Sequence, residues 1–333
     1  MPMWSKRLLR QCEVLVQIHC ARGKAPVTLH DAARKLLEEH EVQGVLGYRK
    51  GSLPFRARPY LFRDSCEIEE LVFNPFCGLN LARYLLFLPR GIERVAIVAK
   101  GCDSRACVAL VRENRLRRGN LLILGVPCPG MVDTRKLAEW EGLQEHEVTL
   151  RGGEIVIRGV AYPLASFLDA SCRRCRYRSP LVYDILIEDS EVPSLPQEDT
   201  LRELRSLPEE KRWEFFRKEL SRCIRCYACR NACPMCYCKE CFAESHKPAF
   251  LHPSPTLRDN FAFHIGRAMH LAGRCVECGA CERACPLGIP IATIFLAVSD
   301  TVREHFAFEA GVDVTAPAPF VTYREDDPNA FIR

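Results

Sequence analysis

The sequence predicts two domains: a mixed α/β domain followed by a small, helix-rich domain. Strand-length apolar runs alternate with helical patterns in the first part of the chain, which is typical of an α/β fold with some parallel strand pairing. Eleven of the twenty cysteines then lie between Cys223 and Cys285. An acidic stretch that contains prolines separates the two parts. We therefore expect an α/β domain over residues 1–190, a linker over 191–210, a cysteine-rich domain over 211–300, and a tail over 301–333 that contacts a partner.

The elements of both domains follow from the spacing of apolar residues. Short apolar runs predict buried strands, and apolar residues three or four positions apart predict helices. The predicted strands are Val42–Tyr48, Arg94–Ala99, Leu121–Val126, Glu154–Val160 and Val182–Ile187. The predicted helices are Thr28–Glu41, Leu79–Leu88, Asp103–Leu116, Pro208–Arg222 and Thr256–Ala272. The apolar positions of the last helix are Phe261, Ile265, Met269 and Leu271.

The composition narrows the class of protein. A net charge of +5 over 333 residues is too small to favour a nucleic-acid partner, and 48% apolar residues are enough for a buried core. The start of the chain lacks the long apolar segment of a secretory signal, and no apolar run approaches the roughly 18 residues of a membrane span. We therefore expect a cytoplasmic protein without a transmembrane segment, whose cysteines are metal ligands or redox groups rather than disulfides.

The cysteine-rich segment contains the same motif twice. Each copy reads C-x2-C-x2-C-x3-C-P, in which three closely spaced thiolates wrap around three irons of a [4Fe–4S] cubane. The fourth cysteine, which precedes a proline, reaches the other cluster in the two-cluster bacterial ferredoxins that this segment resembles. We therefore assign Cys223, Cys226, Cys229 and Cys285 to one cluster, and Cys275, Cys278, Cys281 and Cys233 to a second.

Two points in this segment stay open. Zinc is the alternative metal, although zinc sites usually need two C-x2-C pairs and fit a four-cysteine run ending in proline poorly. The insert over residues 234–274 is longer than in compact ferredoxins, so the exchange of fourth cysteines between the repeats is not fixed.

Two clusters leave three cysteines of this segment without a role, namely Cys236, Cys238 and Cys241. They could bind another metal with His246, contact a partner's cluster, or be buried thiols.

A second group of cysteines lies in the first domain. Cys102 and Cys128 each follow a predicted strand, and the pair Cys172 and Cys175 forms a later C-x2-C. Residues at the ends of neighbouring strands converge in space, and open α/β sheets hold cofactors at such ends. The pattern is therefore compatible with a metal site, but it does not choose between a site and separate buried thiols.

A family resemblance favours the metal site. The runs KGCDSRA and GVPCPGM after strands, followed by CRRC, resemble the beta-subunit family of the deazaflavin-dependent hydrogenases and formate dehydrogenases, which also includes chlorophyll-pathway reductases. The resemblance covers most of residues 40–190. It implies a third [4Fe–4S] cluster on Cys102, Cys128, Cys172 and Cys175, and an FAD held by the α/β domain.

The residues that would hold the flavin are chosen from two predicted helix starts. In the family a glycine-rich turn before a helix cradles the flavin phosphates through backbone N–H groups. The matching place here has only one glycine, in the stretch Asn74–Asn80, and a capped helix is the alternative interpretation. The candidate flavin ligands are Cys77, Gly78 and Asn80 at the first start, and Lys100, Asp103, Ser104 and Arg105 at the second.

Together these patterns predict an iron–sulfur flavoprotein subunit of an oxidoreductase complex. Clusters pass single electrons, and a flavin exchanges two. The resemblance implies a partner such as the catalytic subunit of a formate dehydrogenase or a hydrogenase, or a heterodisulfide-reductase-like flavoprotein. No motif of the chain suggests a molybdopterin or nickel site, so we expect the catalytic centre on the partner. The alternatives are a free-standing flavin and iron–sulfur reductase of a small organic substrate, and an electron relay without flavin.

Overall fold

The protein is described by a computed structural model that covers residues 28–53, 55–137, 140, 142–151, 153–187, 200–245, 247–252 and 254–321. The chain divides into two compact units. The first unit lies within Met1–Gln197 and also includes Gly311–Thr315, whereas the second begins at Glu198 and contains the chain up to Ala310. The second unit therefore begins before residue 211, inside the stretch expected to be a linker.

Within the described residues, eight strands form two sheets, both in the first unit. The strands are β1 Val45–Lys50, β2 Ala57–Phe62, β3 Val95–Ala99, β4 Leu121–Gly125, β5 Val148–Arg151, β6 Glu154–Ile157, β7 Val160–Pro163 and β8 Ile185–Leu186. The larger sheet has the order β2-β1-β3-β4-β8, with β1 antiparallel to β2 and the other pairs parallel. The smaller sheet is an antiparallel meander of β5, β6 and β7. The mixed α/β fold class is confirmed.

The central strands of the larger sheet explain why short apolar runs predicted them. Every residue of β3 is buried, as a parallel strand covered on both faces requires. The predicted strand Glu154–Val160 is instead the turn-containing part of the meander, since Arg158 and Gly159 adopt left-handed conformations between β6 and β7. An apolar cluster that includes Ile155, Phe167 and Leu168 joins this meander to neighbouring helices.

The α-helices of the described residues are α1 Leu29–Glu38, α2 Gly101–Arg112, α3 Thr134–Leu137, α4 Leu164–Phe167, α5 Ala170–Arg173, α6 Thr200–Ser206, α7 Glu209–Ser221, α8 Ala228–Asn231, α9 Leu257–His270, α10 Ala280–Arg283 and α11 Ala292–Phe306. Short 3-10 helices cover Ser65–Glu70, Leu81–Phe87, Arg118–Asn120, Glu145–Glu147 and Pro319–Val321. The predicted helix Leu79–Leu88 is thus a 3-10 helix, with Asn80 as its N-cap. No helix in these ranges is long and apolar enough to cross a membrane.

Helix α9 buries polar residues as well as apolar ones. Ile265 and Met269, two of its predicted apolar positions, are 43% and 56% exposed, whereas Leu271 is buried. The buried face instead carries Asn260, His264 and Arg267, together with Phe263. Polar residues lie on the inner side because that side meets the cysteine loops rather than an apolar core.

The end of the chain packs on the protein itself as far as it is described. Gly311 approaches the backbone of Arg105, and Arg112 donates a hydrogen bond to the carbonyl oxygen of Asp313 at 2.9 Å, both within the first unit. Phe320 packs edge-on against Phe306 of α11. Residues 322–333 lie outside the described ranges, and the expectation that the tail over residues 301–333 contacts a partner stays a prediction.

Candidate functional site

The two cysteine repeats of the second unit have the same backbone. In each repeat the residues on both sides of the second cysteine are left-handed: Arg225 and Tyr227 have φ of 52° and 60°, and Glu277 and Gly279 have φ of 58° and 68°. Each loop then enters a one-turn helix, α8 or α10, and the two helices contact each other. The sequence repeat is therefore a structural repeat, with thiols turned toward the inside of each loop.

The equivalent positions Tyr227 and Gly279 differ in the energy that a left-handed backbone conformation requires. A left-handed backbone costs a side-chain-bearing residue about 1–2 kcal/mol, whereas glycine adopts it freely. The tyrosine offsets this cost with contacts. Its ring packs edge-on against Phe263 at 5.3 Å, and its hydroxyl donates a hydrogen bond to the carbonyl oxygen of Ala243 at 3.2 Å. The first loop is thus tied to helix α9 by a side chain that the second loop lacks.

The thiols of the two repeats line two cavities, each enclosing about 340 Å³ of space that includes its open mouth. Each cavity combines three cysteines of one repeat with the fourth of the other. One is lined by Cys223, Cys226, Cys229 and Cys285, and the other by Cys275, Cys278, Cys281 and Cys233. These are the two sets assigned from the motif spacing. Their ligation of iron stays a prediction.

The chemistry of these thiols fits a cluster. Burial raises the pKa of Cys229 to about 11 and that of Cys281 well above its usual value, so free thiolates are unfavourable in these cavities. Iron supplies the positive charge that a buried thiolate needs, and cluster ligands are deprotonated. Considered as a site for a single metal ion, no group of three His, Cys, Asp or Glu residues in the described part of the chain qualifies.

Helix α9 supplies the polar contacts of the first loop. Asn260 donates two hydrogen bonds from Nδ2, to the carbonyl oxygens of Leu220 at 2.9 Å and Cys223 at 2.8 Å. The Nε2 atom of His264 lies 3.4 Å from the Sγ of Cys223. Burial, with the charge of Arg267, lowers the pKa of His264 to about 4, so the ring is neutral near pH 7. The helix therefore holds the loop at its backbone and at one sulfur.

The sequence analysis did not single out these residues. The available signal was their spacing. Asn260, His264 and Arg267 recur at i, i+4 and i+7, which places them on one helix face. That helix lies between two cysteine repeats in the sequence. A polar stripe on a helix between two metal-binding motifs predicts contacts to the metal ligands.

The surplus cysteines do not come together as one group. Cys236 lies 3.7 Å from a guanidinium nitrogen of Arg267, and its thiol is hydrogen-bonded with that of Cys233. Cys238 is exposed and Cys241 is half-buried. His246, considered as their fellow ligand, lies outside the described residues. Of the three, Cys236 is therefore the one for which the structure gives a contact to a predicted cluster ligand.

Three of the four candidate cysteines of the first unit lie within electrostatic range of one another. Burial raises the pKa of Cys128 to about 12, and the nearby charges of Cys172 and Cys175 act in the same direction. The backbone N–H of Met131 donates to the Sγ of Cys172 at 3.3 Å. Cys102 and Cys128 both interact with the ammonium of Lys100. The fold thus places the four cysteines around the start of helix α2.

A glycine makes this arrangement possible. Gly101 opens helix α2 directly before Cys102, and a Cβ atom at residue 101 would overlap the carbonyl oxygen of Tyr177. The chain that follows Cys175 therefore lies against the first turn of the helix. This close approach brings Cys102 beside the C-x2-C segment, which is 70 residues later in the sequence.

The polar side chains predicted to bind the flavin form ion pairs and hydrogen bonds within the protein. Lys100 is 1% exposed, and its ammonium contacts the Asp103 carboxylate at 2.9 Å, the carbonyl oxygens of Leu79 and Cys77 at 3.0 and 3.2 Å, and the hydroxyl of Tyr48. The second carboxylate oxygen of Asp103 accepts a hydrogen bond from the backbone of residue 81 at 2.9 Å. This pair fixes the stretch around residues 77–81 against helix α2.

The remaining flavin candidates are similarly engaged. The Ser104 hydroxyl donates to the carbonyl oxygen of Val182 at 2.6 Å, and Asn80 both caps its 3-10 helix and donates to the carbonyl oxygen of Cys102. Arg105 is buried with its guanidinium over the ring of Tyr177. Cys77 is buried and Gly78 is half-buried. As a set, the seven residues do not fit an open flavin cradle.

An open cavity lies next to that stretch. It encloses about 600 Å³ of space, including its mouth, and is formed at the end of the β1–β2 hairpin. Two aromatic rings, of Phe55 and Phe76, lie 5.5 Å apart at its edge. Its other lining residues are Lys50, Arg56, Ala57, Val72, Asn74 and Glu145. Aromatic faces beside basic side chains suit a planar, anionic ligand.

Comparisons with known proteins agree with the chemistry of both units. Residues 219–289 match the 4Fe-4S dicluster domain. The F420-dependent formate dehydrogenase subunit beta of Methanocaldococcus jannaschii is 25% identical over an alignment of 356 positions, gaps included. This alignment covers 86% of this chain and 91% of that subunit. The F420-dependent formate dehydrogenase 1 subunit beta of Methanococcus maripaludis is 24% identical, with 85% and 89% covered. The resemblance inferred from the cysteine motifs is confirmed.

A solved structure gives a weaker likeness. A chain of the F420-reducing [NiFe] hydrogenase complex from Methanosarcina barkeri, from a study of xenon derivatization, aligns with a TM-score of 0.36 and 16% identity. The alignment covers 46% of this chain and 57% of that one. From the relatives and the dicluster domain, the chain is a [4Fe–4S] electron-transfer protein, homologous along most of its length to the beta subunits of F420-dependent formate dehydrogenases.

Proposed function

We propose that the chain is the beta-type subunit of a formate dehydrogenase complex and carries electrons between a catalytic partner and the deazaflavin F420. The named relatives support this choice, since both are beta subunits of F420-dependent formate dehydrogenases and align over most of this chain. A hydrogenase or a heterodisulfide-reductase-like flavoprotein is the alternative partner. Substrate oxidation belongs to the partner, and this chain supplies the path for electrons.

The observation that carries the proposal is the exchange of cysteines between the two repeats. Each cavity takes three thiols from one loop and the fourth from the other, so neither site is complete without both repeats. Clusters bound there supply one-electron transfer. Shared ligands fix the separation of the two sites, because each loop contributes to both. The two cavities thus support a pair of clusters held at one distance.

Access to the two sites differs. Cys226 is exposed, and its neighbour Ile224 is 58% exposed, so the first cavity reaches the protein surface. The cysteines of the second cavity are all partly buried, and Cys281 is deep enough for burial to raise the pKa of its thiol strongly. The first site is the one from which this chain exchanges electrons with another protein.

The proposal includes a third cluster in the first unit. Its ligands would be Cys102, Cys128, Cys172 and Cys175. Support comes from the interactions among the last three thiols and from the close approach at Gly101 that brings in the first. Lys100 lies beside two of these cysteines, and its positive charge favours thiolates there.

The proposal also includes one FAD in the first unit. Since the seven residues chosen from the sequence do not form an open cradle, we assign the flavin to the cavity lined by Phe55, Phe76 and Arg56. The aromatic rings would pack against a flavin or adenine ring, and the guanidinium would contact a phosphate. What supports this assignment is the cavity's mixture of aromatic and basic side chains.

The test uses the full chain purified without oxygen. Iron, sulfide and flavin are measured per chain, and F420 is then mixed with the protein and reduced methyl viologen. About twelve irons, at four per cubane, one flavin and F420 reduction by the isolated chain are expected. Formate should give no F420 reduction until a formate dehydrogenase catalytic subunit is added.

Three outcomes contradict parts of the proposal. Formate oxidation by the isolated chain would place the catalytic centre here. Turnover of a small organic substrate without F420 activity would favour a free-standing reductase. About eight irons without flavin would leave a relay that uses only the second unit.

A further inference from the structure

A buried guanidinium lies at both cysteine cavities of the second unit. Arg267, on helix α9, is 2% exposed. One of its terminal nitrogens donates to the Sγ of Cys229 at 3.2 Å, and the other donates to the carbonyl oxygen of the same residue at 3.3 Å. Cys229 belongs to the first cavity, whereas Arg267 itself lines the second. One side chain therefore reaches the two proposed clusters.

The charge of this side chain is directed at sulfur. Its second terminal nitrogen also lies 3.7 Å from the Sγ of Cys236. Burial acts to lower the pKa of Arg267, but the charges of Cys229, Cys236 and further cysteines outweigh it and raise the pKa. Arginine stays protonated in proteins in any case. A full positive charge is thus held between the thiols of both cavities, in a region where water does not screen it.

Packing holds the guanidinium in place. It lies over the ring of Phe295 at 4.9 Å and over that of Phe263 at 5.5 Å. Phe263 is the ring against which Tyr227 of the first loop packs. These contacts fix the direction of the arginine fork toward Cys229, and they explain why an arginine rather than a flexible ammonium occupies the site.

Resting on the proposed two clusters, we propose that Arg267 is a positioning residue that raises the reduction potentials of both clusters and keeps them close to each other. Reduction adds one electron, taken from the donor, and no proton is needed because the arginine keeps its own. A fixed cation beside the ligands stabilises the reduced state more than the oxidised state. Because the cation is shared, its removal affects the two sites together.

The test is a redox titration of the anaerobically purified full chain, with dithionite as reductant and electron paramagnetic resonance as readout. Arg267→Gln is compared with the wild type, Arg267→Lys and Arg258→Gln. Arg258 is an exposed residue of the same helix, so its variant loses the same charge away from the cysteines. Iron is counted in every sample.

We expect Arg267→Gln to lower the ratio of reduced to oxidised cluster at least tenfold at a fixed potential, which is about 59 mV for one electron. Both clusters should shift, Arg267→Lys should shift less, and Arg258→Gln should not shift. Unchanged potentials in iron-loaded Arg267→Gln would overturn the proposal, as would a shift in one cluster alone.

Iron loss in Arg267→Gln is resolved by the lysine variant. If Arg267→Lys keeps its iron and lies near the wild-type potentials, the charge is what matters and the proposal stands. If it loses iron as well, the fork geometry is structural and the proposal fails. A wild-type chain with no cluster signal would instead contradict the proposed function.

Discussion

The two cysteine regions of this protein are assembled in different ways. In the second unit, three thiols of each site come from a loop of seven residues, and only the fourth comes from elsewhere. In the first unit, the cysteines follow two neighbouring parallel strands and a later C-x2-C, so the sheet must form before they meet. The sites of the second unit therefore depend mainly on short loops. The cysteine group of the first unit instead depends on correct folding of the sheet.

The two regions also use buried cations differently. Lys100 forms an ion pair with Asp103 and donates hydrogen bonds to backbone carbonyl oxygens, so its main contacts stabilise the first unit. Arg267 contacts sulfur and a backbone carbonyl instead. A buried charge without its counterion is costly. The second unit therefore depends on negative charge at its cysteines, while the first unit carries its own counterion.

The largest expected effect is in the exchanged ligands. Cys226→Ser and Cys285→Ser lie in different repeats but line the same cavity, so each should remove the same cluster and about four irons per chain. The double variant should lose no more iron than either single one. Iron analysis and electron paramagnetic resonance of the reduced protein measure this.

Cys238→Ser is the matched control for that experiment, because Cys238 is an exposed cysteine of the same unit. It should keep all its iron. If Cys226→Ser and Cys285→Ser remove two different signals, each repeat holds its own cluster and the comparison between local and exchanged ligands is wrong.

A loss of similar size is expected in the first unit. With the proposed third cluster, Cys175→Ser should remove about four irons, and should leave the two signals of the second unit unchanged because all eight of their ligands lie in the second unit. Cys66→Ser, an exposed cysteine in the same unit, serves as the control. Equal iron content and spectra in Cys175→Ser and wild type would remove the third cluster from the proposal.

The smallest effect tests the close approach that the sheet site requires. Gly101→Ala should push the segment around Tyr177 away from helix α2 and cost about 1–3 kcal/mol in the free energy of unfolding, as overpacking does. Gly119→Ala, where the added methyl meets no neighbour, is the control. Chemical denaturation measures the difference. Equal free energies of unfolding for the two variants would contradict this prediction, since the segment around Tyr177 would then move aside without strain.

Much of the fold and of the cysteine sites could be predicted from local sequence patterns. The fully buried strand Val95–Ala99 and the eight repeat cysteines could be found because neighbouring residues determine them. Helix α6 was missed inside the expected linker, because its Leu201 is buried in a cluster with residues such as Ala292 and Leu296, about 90 residues later. Such a partner is not visible in a short window of sequence.

The differences at the sites have a similar origin. Ile265 and Met269 were predicted apolar positions of their helix but are exposed, because the buried face of that helix meets sulfur and backbone carbonyls, which need hydrogen-bond donors. Lys100 was expected to bind a flavin, because a cation at a helix start suits a phosphate. It is buried against Asp103, a partner three residues away whose direction only the folded turn reveals.

The return of residues 311–315 to the first unit has a consequence for dissecting the protein. This segment packs on helix α2, the helix that begins beside Cys102, and the chain belongs to the second unit both before it, over Glu198–Ala310, and after it, from Ala316. A fragment that stops at residue 197 would lack part of its own surface cover. A separable first unit would need the stretch from 198 to 310 replaced by a short flexible bridge, leaving its final strip in place.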